Sequence, residues 1–199
     1  IMKIYDNKNI QIVESLKKLK HLEEFSFKLS SYRVIKTPPL LIFGMFKALE
    51  NSPQLEILKI DAQPILRDSP IIPLLEGCMN NHHNLREIYL KGLDLSDKEL
   101  GTLLLQLPRP EKLEILQLDL TTRVDSSPEI QNAIKRFSSL KKTSLIIREF
   151  NSMIIEVLGN VLTEIGKLQS LEWLGLEIGE DGQVSEEEIP MLIEFLENN

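Results

Sequence analysis

The chain has 199 residues, 42% of them hydrophobic, enough to bury a sizeable core. Its net charge of −7 and pI near 5.1 argue against a nucleic-acid or anionic-membrane surface, which would need clustered Lys and Arg. A single cysteine, Cys78, excludes an internal disulfide framework; with no Asn-x-Ser/Thr sequon, no signal-like opening and no apolar run of spanning length, the expectation is a cytoplasmic protein.

In chain order, Met2–Tyr5 reads as the tail of a strand, followed by a helix over Ile10–Lys20. A strand motif begins at Leu22, and a helix is expected over Leu40–Glu50. A second motif begins at Leu55, ahead of a helix over Ile71–Met79. The third motif begins at Leu85, after which Ser96 and Glu99 form a capping-box pattern ahead of Leu100, Leu103, Leu104 and Leu107. A fourth motif starts at Leu113; then Ser127 and Pro128 signal a helix start before Ile130, Ala133, Ile134 and Phe137. The fifth, at Leu140, precedes the stripe Ile154, Leu158, Val161, Leu162 and Ile165. The sixth, at Leu171, is followed by Ser185 and Glu188 as a cap ahead of Ile189, Leu192, Ile193 and Leu196.

The six strand motifs share one pattern, L-x-x-L-x-L, with Thr143 the one polar exception at an apolar position. Their first leucines lie 33, 30, 28, 27 and 31 residues apart. A strand and a helix with one apolar side each cannot bury those sides within one unit, so neighbouring units must stack. The pattern resembles the leucine-rich-repeat family, in its ribonuclease-inhibitor-like class. The resemblance implies an α/β solenoid bent as a horseshoe arc, with a parallel sheet on the concave side and helices on the convex side. It covers nearly the whole chain and implies one domain over 1–199, six full repeats and a partial one at the N-terminus. The family's Asn or Cys at the ninth position is replaced by Ser30, Gln63, Leu93, Thr121, Arg148 and Gly179. Apolar or small residues continue instead to the eighth position, which predicts slightly longer strands. Both ends look cut, as in a fragment of a longer array with uncapped terminal faces.

The third, fifth and seventh positions should point away from the helices. Most are polar, but Ile57, Tyr89, Ile115, Ile146 and Trp173 are large and apolar. Large aromatics ringed by charge serve as interface anchors, although scattered surface apolars also occur. The expected partner-binding set is Ile57, Tyr89, Ile115 and Trp173, with Lys59, Lys91 and Asp119 beside them. The partner expected is another protein, with no nucleic acid, membrane or small-molecule substrate.

Catalytic signals are sparse. Cys78 and His82 have the i, i+4 spacing of metal ligands, but Cys78 falls on the apolar stripe of its helix, and His82 and His83 fall in the polar stretch Asn80–Asn84. Gly-rich phosphate loops and H-E-x-x-H or G-x-S-x-G motifs are missing, so no cofactor, metal or enzymatic activity is expected. The resemblance implies an interaction module or structural subunit, binding through the concave face or the open ends. The alternatives it leaves are a regulator of an enzyme in trans, such as a GTPase activator, and the substrate-recognition part of a ubiquitin ligase.

Overall fold

The computed structural model describes residues 14–15, 18–29, 39–62, 71–93, 95–120, 128–147, 152–178 and 190. The expected element at Met2–Tyr5, that over Ser185–Leu196 except Pro190, and the first helix except Glu14, Ser15 and Lys18–Lys20 lie outside them, as does Ser127; Lys18–Lys20 form a turn and not a helix. Six strands form one parallel sheet in the order of the chain: β1 (Glu24–Leu29), β2 (Ile57–Ala62), β3 (Glu87–Lys91), β4 (Ile115–Leu120), β5 (Lys142–Ile147) and β6 (Trp173–Ile178). Between them run α1 (Pro39–Leu49), α2 (Ile71–Asn81), α3 (Asp97–Leu105), α4 (Pro128–Ile134) and α5 (Ser152–Ile165), with one 3-10 turn at Pro110–Lys112. Sequentially adjacent parallel strands need a crossover, and a helix is the usual one.

The strands pair in one register throughout, third position against third. Phe25, Leu58, Ile88, Leu116, Thr143 and Leu174 thus form a row across the sheet. Just before each strand, one backbone device recurs. The carbonyls of Glu23, Glu56, Arg86, Glu114 and Lys141 each accept two N–H donors from the next unit, for example those of Glu56 and Ile57 at 2.8 and 3.0 Å for Glu23. Three residues ahead of the motif, a tight turn leads the chain in: Leu55 N–H donates to the Ser52 carbonyl, Leu113 to Pro110, Leu140 to Phe137 and Leu171 to Leu168.

The strands do continue beyond the six-residue motif. Pairs such as Leu29 with Ala62 and Ile147 with Ile178 extend the ladder to the eighth position. Only β3 stops one residue short. There Gly92 turns the chain with φ of 70°, a left-handed conformation that a side chain would disfavour.

One apolar cluster fills the space between the sheet and the helices. It takes Leu58, Ile88, Leu116 and Leu145 from the strands, Phe46 and Leu49 from α1, Met79 from α2, Leu103 and Leu104 from α3, Ile134 from α4 and Leu158, Val161 and Ile165 from α5. Each such side chain contributes roughly 1.5–3 kcal/mol by leaving water. Thr143 is tolerated in this layer because its hydroxyl donates to the Leu116 carbonyl at 3.1 Å. The capping box at the start of α3 forms as its sequence implies: Ser96 Oγ accepts from Glu99 N–H, and Glu99 Oε2 accepts from Ser96 N–H at 2.8 Å.

The closest helix approach is between α3 and α4. A Cβ at Gly101 would come within 2.7 Å of Glu129 Cβ and closer still to the α4 backbone, which cannot rotate away. Arg136 fastens the same pair, its guanidinium donating to the Leu105 and Leu107 carbonyls at the end of α3. Gly101→Ala gains about 1 kcal/mol of helix propensity but must push α4 outward, an overpacking cost of about 1–3 kcal/mol or more. Urea unfolding should therefore show a net loss of stability for G101A, whereas Gly166→Ala, next to no foreign backbone, should not.

Candidate functional site

Because the even positions face the helices, the odd positions make up the other face of the sheet, in three rows. The first reads Glu24, Ile57, Glu87, Ile115, Lys142, Trp173, and the second Ser26, Lys59, Tyr89, Gln117, Ser144, Gly175. Strands stand about 4.8 Å apart, so Ile57, Ile115 and Trp173, on every second strand, recur about every 10 Å. Tyr89 lies between the two isoleucines, one row further along.

Polar neighbours hold these side chains in place. Lys59 Nζ reaches Glu24 Oε1 at 2.7 Å and lies 5.3 Å from the centre of the Tyr89 ring, a cation–π distance. The Tyr89 hydroxyl donates to Glu87 Oε2 at 2.9 Å. Partial burial, then this bond to a carboxylate, push the phenol up to about 12, so it stays protonated. Trp173 is 52% exposed, and its indole lies along the strand over Gly175, where a Cβ would fall 2.9 Å from Cζ2. Gly175 thus forms the seat of the Trp173 ring. A glycine inside a strand motif is a sequence signal for such close approach.

Of the expected binding set, Ile57, Tyr89, Ile115 and Trp173 lie on this face, the first three half-buried, with Lys59 and Lys91 beside them. Asp119 does not belong with them. It is only 6% exposed, and its Oδ2 accepts the Gly92 N–H at 2.7 Å. Its carboxylate leans into the neighbouring unit because the left-handed turn at Gly92 leaves an N–H there that no ladder partner takes. Ile146 also departs from expectation and is buried. The Lys91–Glu177 ion pair, 3.7 Å long, joins β3 to β6 across the two strands between them, in the row that contains Ile146.

Along the leading ends of the strands runs a row of alternating charge. Arg86 Nε donates to Glu114 Oε1 at 3.0 Å and its guanidinium also approaches Glu56, while Lys141 Nζ meets Glu114 Oε2 at 2.9 Å. The Lys141 and Arg86 hydrogen bonds hold the Glu114 carboxyl below the usual carboxylate range. A recess of about 380 Å³ opens beside this row, lined by Glu56, Asn84, Arg86, Lys112 and Glu114 among others. Its cations are already engaged, Arg86 by the two glutamates and Lys112 by Asn84 Oδ1 at 3.0 Å.

Cys78, on the buried side of α2, and His82, just past its last residue, lie away from the sheet's outward face. Burial pushes the Cys78 thiol up to about 12, with the Glu50 carboxylate adding to it, so no thiolate forms near neutrality. No three His, Cys, Asp or Glu side chains converge as metal ligands among the described residues. His82, expected in a polar loop, is instead buried, because α2 runs on to Asn81 and sets it in the turn next to Ser52. Its ring faces the Ser52 backbone, yet neither ring nitrogen finds a hydrogen-bond partner among the described residues.

Burial lowers the His82 imidazole to about 4, outweighing the opposite pull of Glu50. In the unfolded chain it takes a proton near pH 6.5. Between those two values acid therefore favours the unfolded chain: stability is held above pH 6.5 and lost as pH falls toward 4. The loss between pH 7.5 and 4.5 amounts to roughly 2–3 kcal/mol from this one residue. Urea titrations at both pH values should show that difference shrinking by about that amount in His82→Leu.

No protein-family model matches the sequence, and no curated protein matches it.

Proposed function

We propose that this chain is a non-catalytic protein-interaction module, a leucine-rich-repeat solenoid whose outward sheet face, concave in such an arc, binds another protein. The observation that carries the reading is the cluster of Ile57, Tyr89, Ile115 and Trp173 on a face that is otherwise mostly polar and includes the ion pairs Lys59–Glu24, Lys28–Asp61 and Lys91–Glu177. Units of about 30 residues in strict sequential parallel order support the repeat reading. Aromatic anchors bordered by ion pairs are the residue mix of interface centres, where apolar burial supplies energy and the charges set orientation.

A protein partner suits this surface better than a small molecule. The apolar side chains are spread over four strands instead of converging in one pocket, and the charges around them are of both signs. Such a surface matches a mixed-charge polypeptide and gives a polyanion no continuous cationic track. The fold positions these groups on a paired sheet, so little conformational entropy remains to be lost on binding.

Affinity capture from the native source, with cross-linking and residue mapping, tests the proposal. Cross-links should fall on the outward positions of β2–β6. The Tyr89→Ala/Trp173→Ala double variant should lower capture at least about tenfold, in line with the loss of two interface anchors. Its melting temperature should fall by only a few degrees. Undiminished capture by that variant, or cross-links confined to the helices, would overturn the assignment.

A further inference from the structure

Most charged side chains on the outward face neutralise one another. Lys28 meets Asp61, Lys59 meets Glu24 and Lys91 meets Glu177, while Asp119 is turned in toward Gly92. Glu87 and Lys142 are left, and neither forms an ion pair among the described residues. Glu87 accepts the Tyr89 hydroxyl and lies near Arg86, but that guanidinium is committed to Glu56 and Glu114. Lys142 is exposed.

Both stand in the row of the apolar side chains, in the order Ile57, Glu87, Ile115, Lys142, Trp173. One acid and one base thus alternate with three large apolar groups, each about 4.8 Å from the next. A chain that matches this row must present a side chain about every 5 Å along a line of about 19 Å.

Backbone conformations differ in whether they can. On one side of an extended strand, side chains recur about every 7 Å. A polyproline helix repeats about every 9 Å and leaves nothing between its contacts to meet Glu87 and Lys142. An α-helix presents i and i+7 about 10.5 Å apart, with i+3 and i+4 midway. Fourteen residues of helix cover about 21 Å, and a tilt of about 25° brings that length into step with the row. The helix also satisfies its own backbone groups, which matters because ladders on both sides of β2 to β5 occupy theirs.

We propose that the occupant of the outward face is an amphipathic α-helix of another protein, laid across the strands. Apolar residues seven apart sit on Ile57, Ile115 and Trp173. A Lys or Arg between two of them meets Glu87, and a Glu or Asp between the other two meets Lys142. Such an occupant presupposes that this face binds protein, as proposed above.

The probe is a blocked peptide with Leu at three positions seven apart, Lys midway between the first two and Glu midway between the last two, stapled into a helix on its far side. Trp173 is the single tryptophan of the chain, so its emission reads docking. The wild-type protein should bind this peptide at least about tenfold more tightly than an unstapled twin with a central proline. It should also prefer it about fivefold over a stapled twin with Lys at both charged positions, the preference shrinking with added salt. Lys142→Glu, which alters an exposed side chain, should reverse that preference. Equal binding of the helical and proline forms, no binding of the stapled peptide, or an unchanged preference in K142E would overturn the proposal. So would self-association abolished in K142E, or cross-links from this face to another part of the same chain. The capture experiment separates the two readings. Cross-links from an extended segment of a captured protein overturn the helix and leave the face standing, whereas undiminished capture by the Tyr89→Ala/Trp173→Ala variant overturns the face itself.

Discussion

The constraint on which the rest of this molecule depends is a carbonyl oxygen with two donors. Before each strand, the second residue of one unit accepts N–H bonds from both the second and the third residues of the next. That contact fixes the step between units at the strand spacing and fixes the register, since a slip of one residue would carry every core side chain to the opposite face. The apolar rows, the ion-paired rows and the aromatic cluster all inherit their alignment from it. Side chains then adjust locally, as Asp119 does at Gly92 and Thr143 does at Leu116.

Much of this order is readable in the linear sequence, because the pattern that reports it is repeated. Six leucine motifs at near-constant spacing imply the strands, and the alternation beyond them implies ladders reaching the eighth position. The Ser96–Glu99 pair implies a capped helix start, and it forms. The outward face was legible for the same reason: a period of two assigns Ile57, Tyr89, Ile115 and Trp173 to one side. Whether those residues bind a partner is a matter for the capture experiment.

What the sequence conceals is whatever depends on a neighbouring unit. Period two places Asp119 outward; it is buried because a glycine 27 residues earlier turns left-handed and leaves an N–H to be met. Ile146 reads as exposed, but side chains from strands on either side of its own meet in its row. His82 reads as loop because two histidines adjoin three asparagines, and is buried because α2 extends a turn's fraction further than its apolar stripe. Leu174 and Leu176 read as core, and their exposure is a property of the sheet's edge, which no local pattern encodes. Each of these is a relation between units, while propensity and periodicity describe single ones.

The sequential strand order also bears on how the chain reaches this state. Each strand pair closes a loop of similar length, since the motif leucines are 27 to 33 residues apart. The entropy cost of closure grows with the logarithm of loop length, so the longest and shortest of these loops differ by only about 0.2 kcal/mol. Topology therefore gives no unit a head start as the folding nucleus. The choice falls to local energetics, and the capped α3, locked to α4 through Gly101 and Arg136, is the pair best equipped to form first. Folding would then spread outward from the middle in both directions, and β6 would be among the last strands to join.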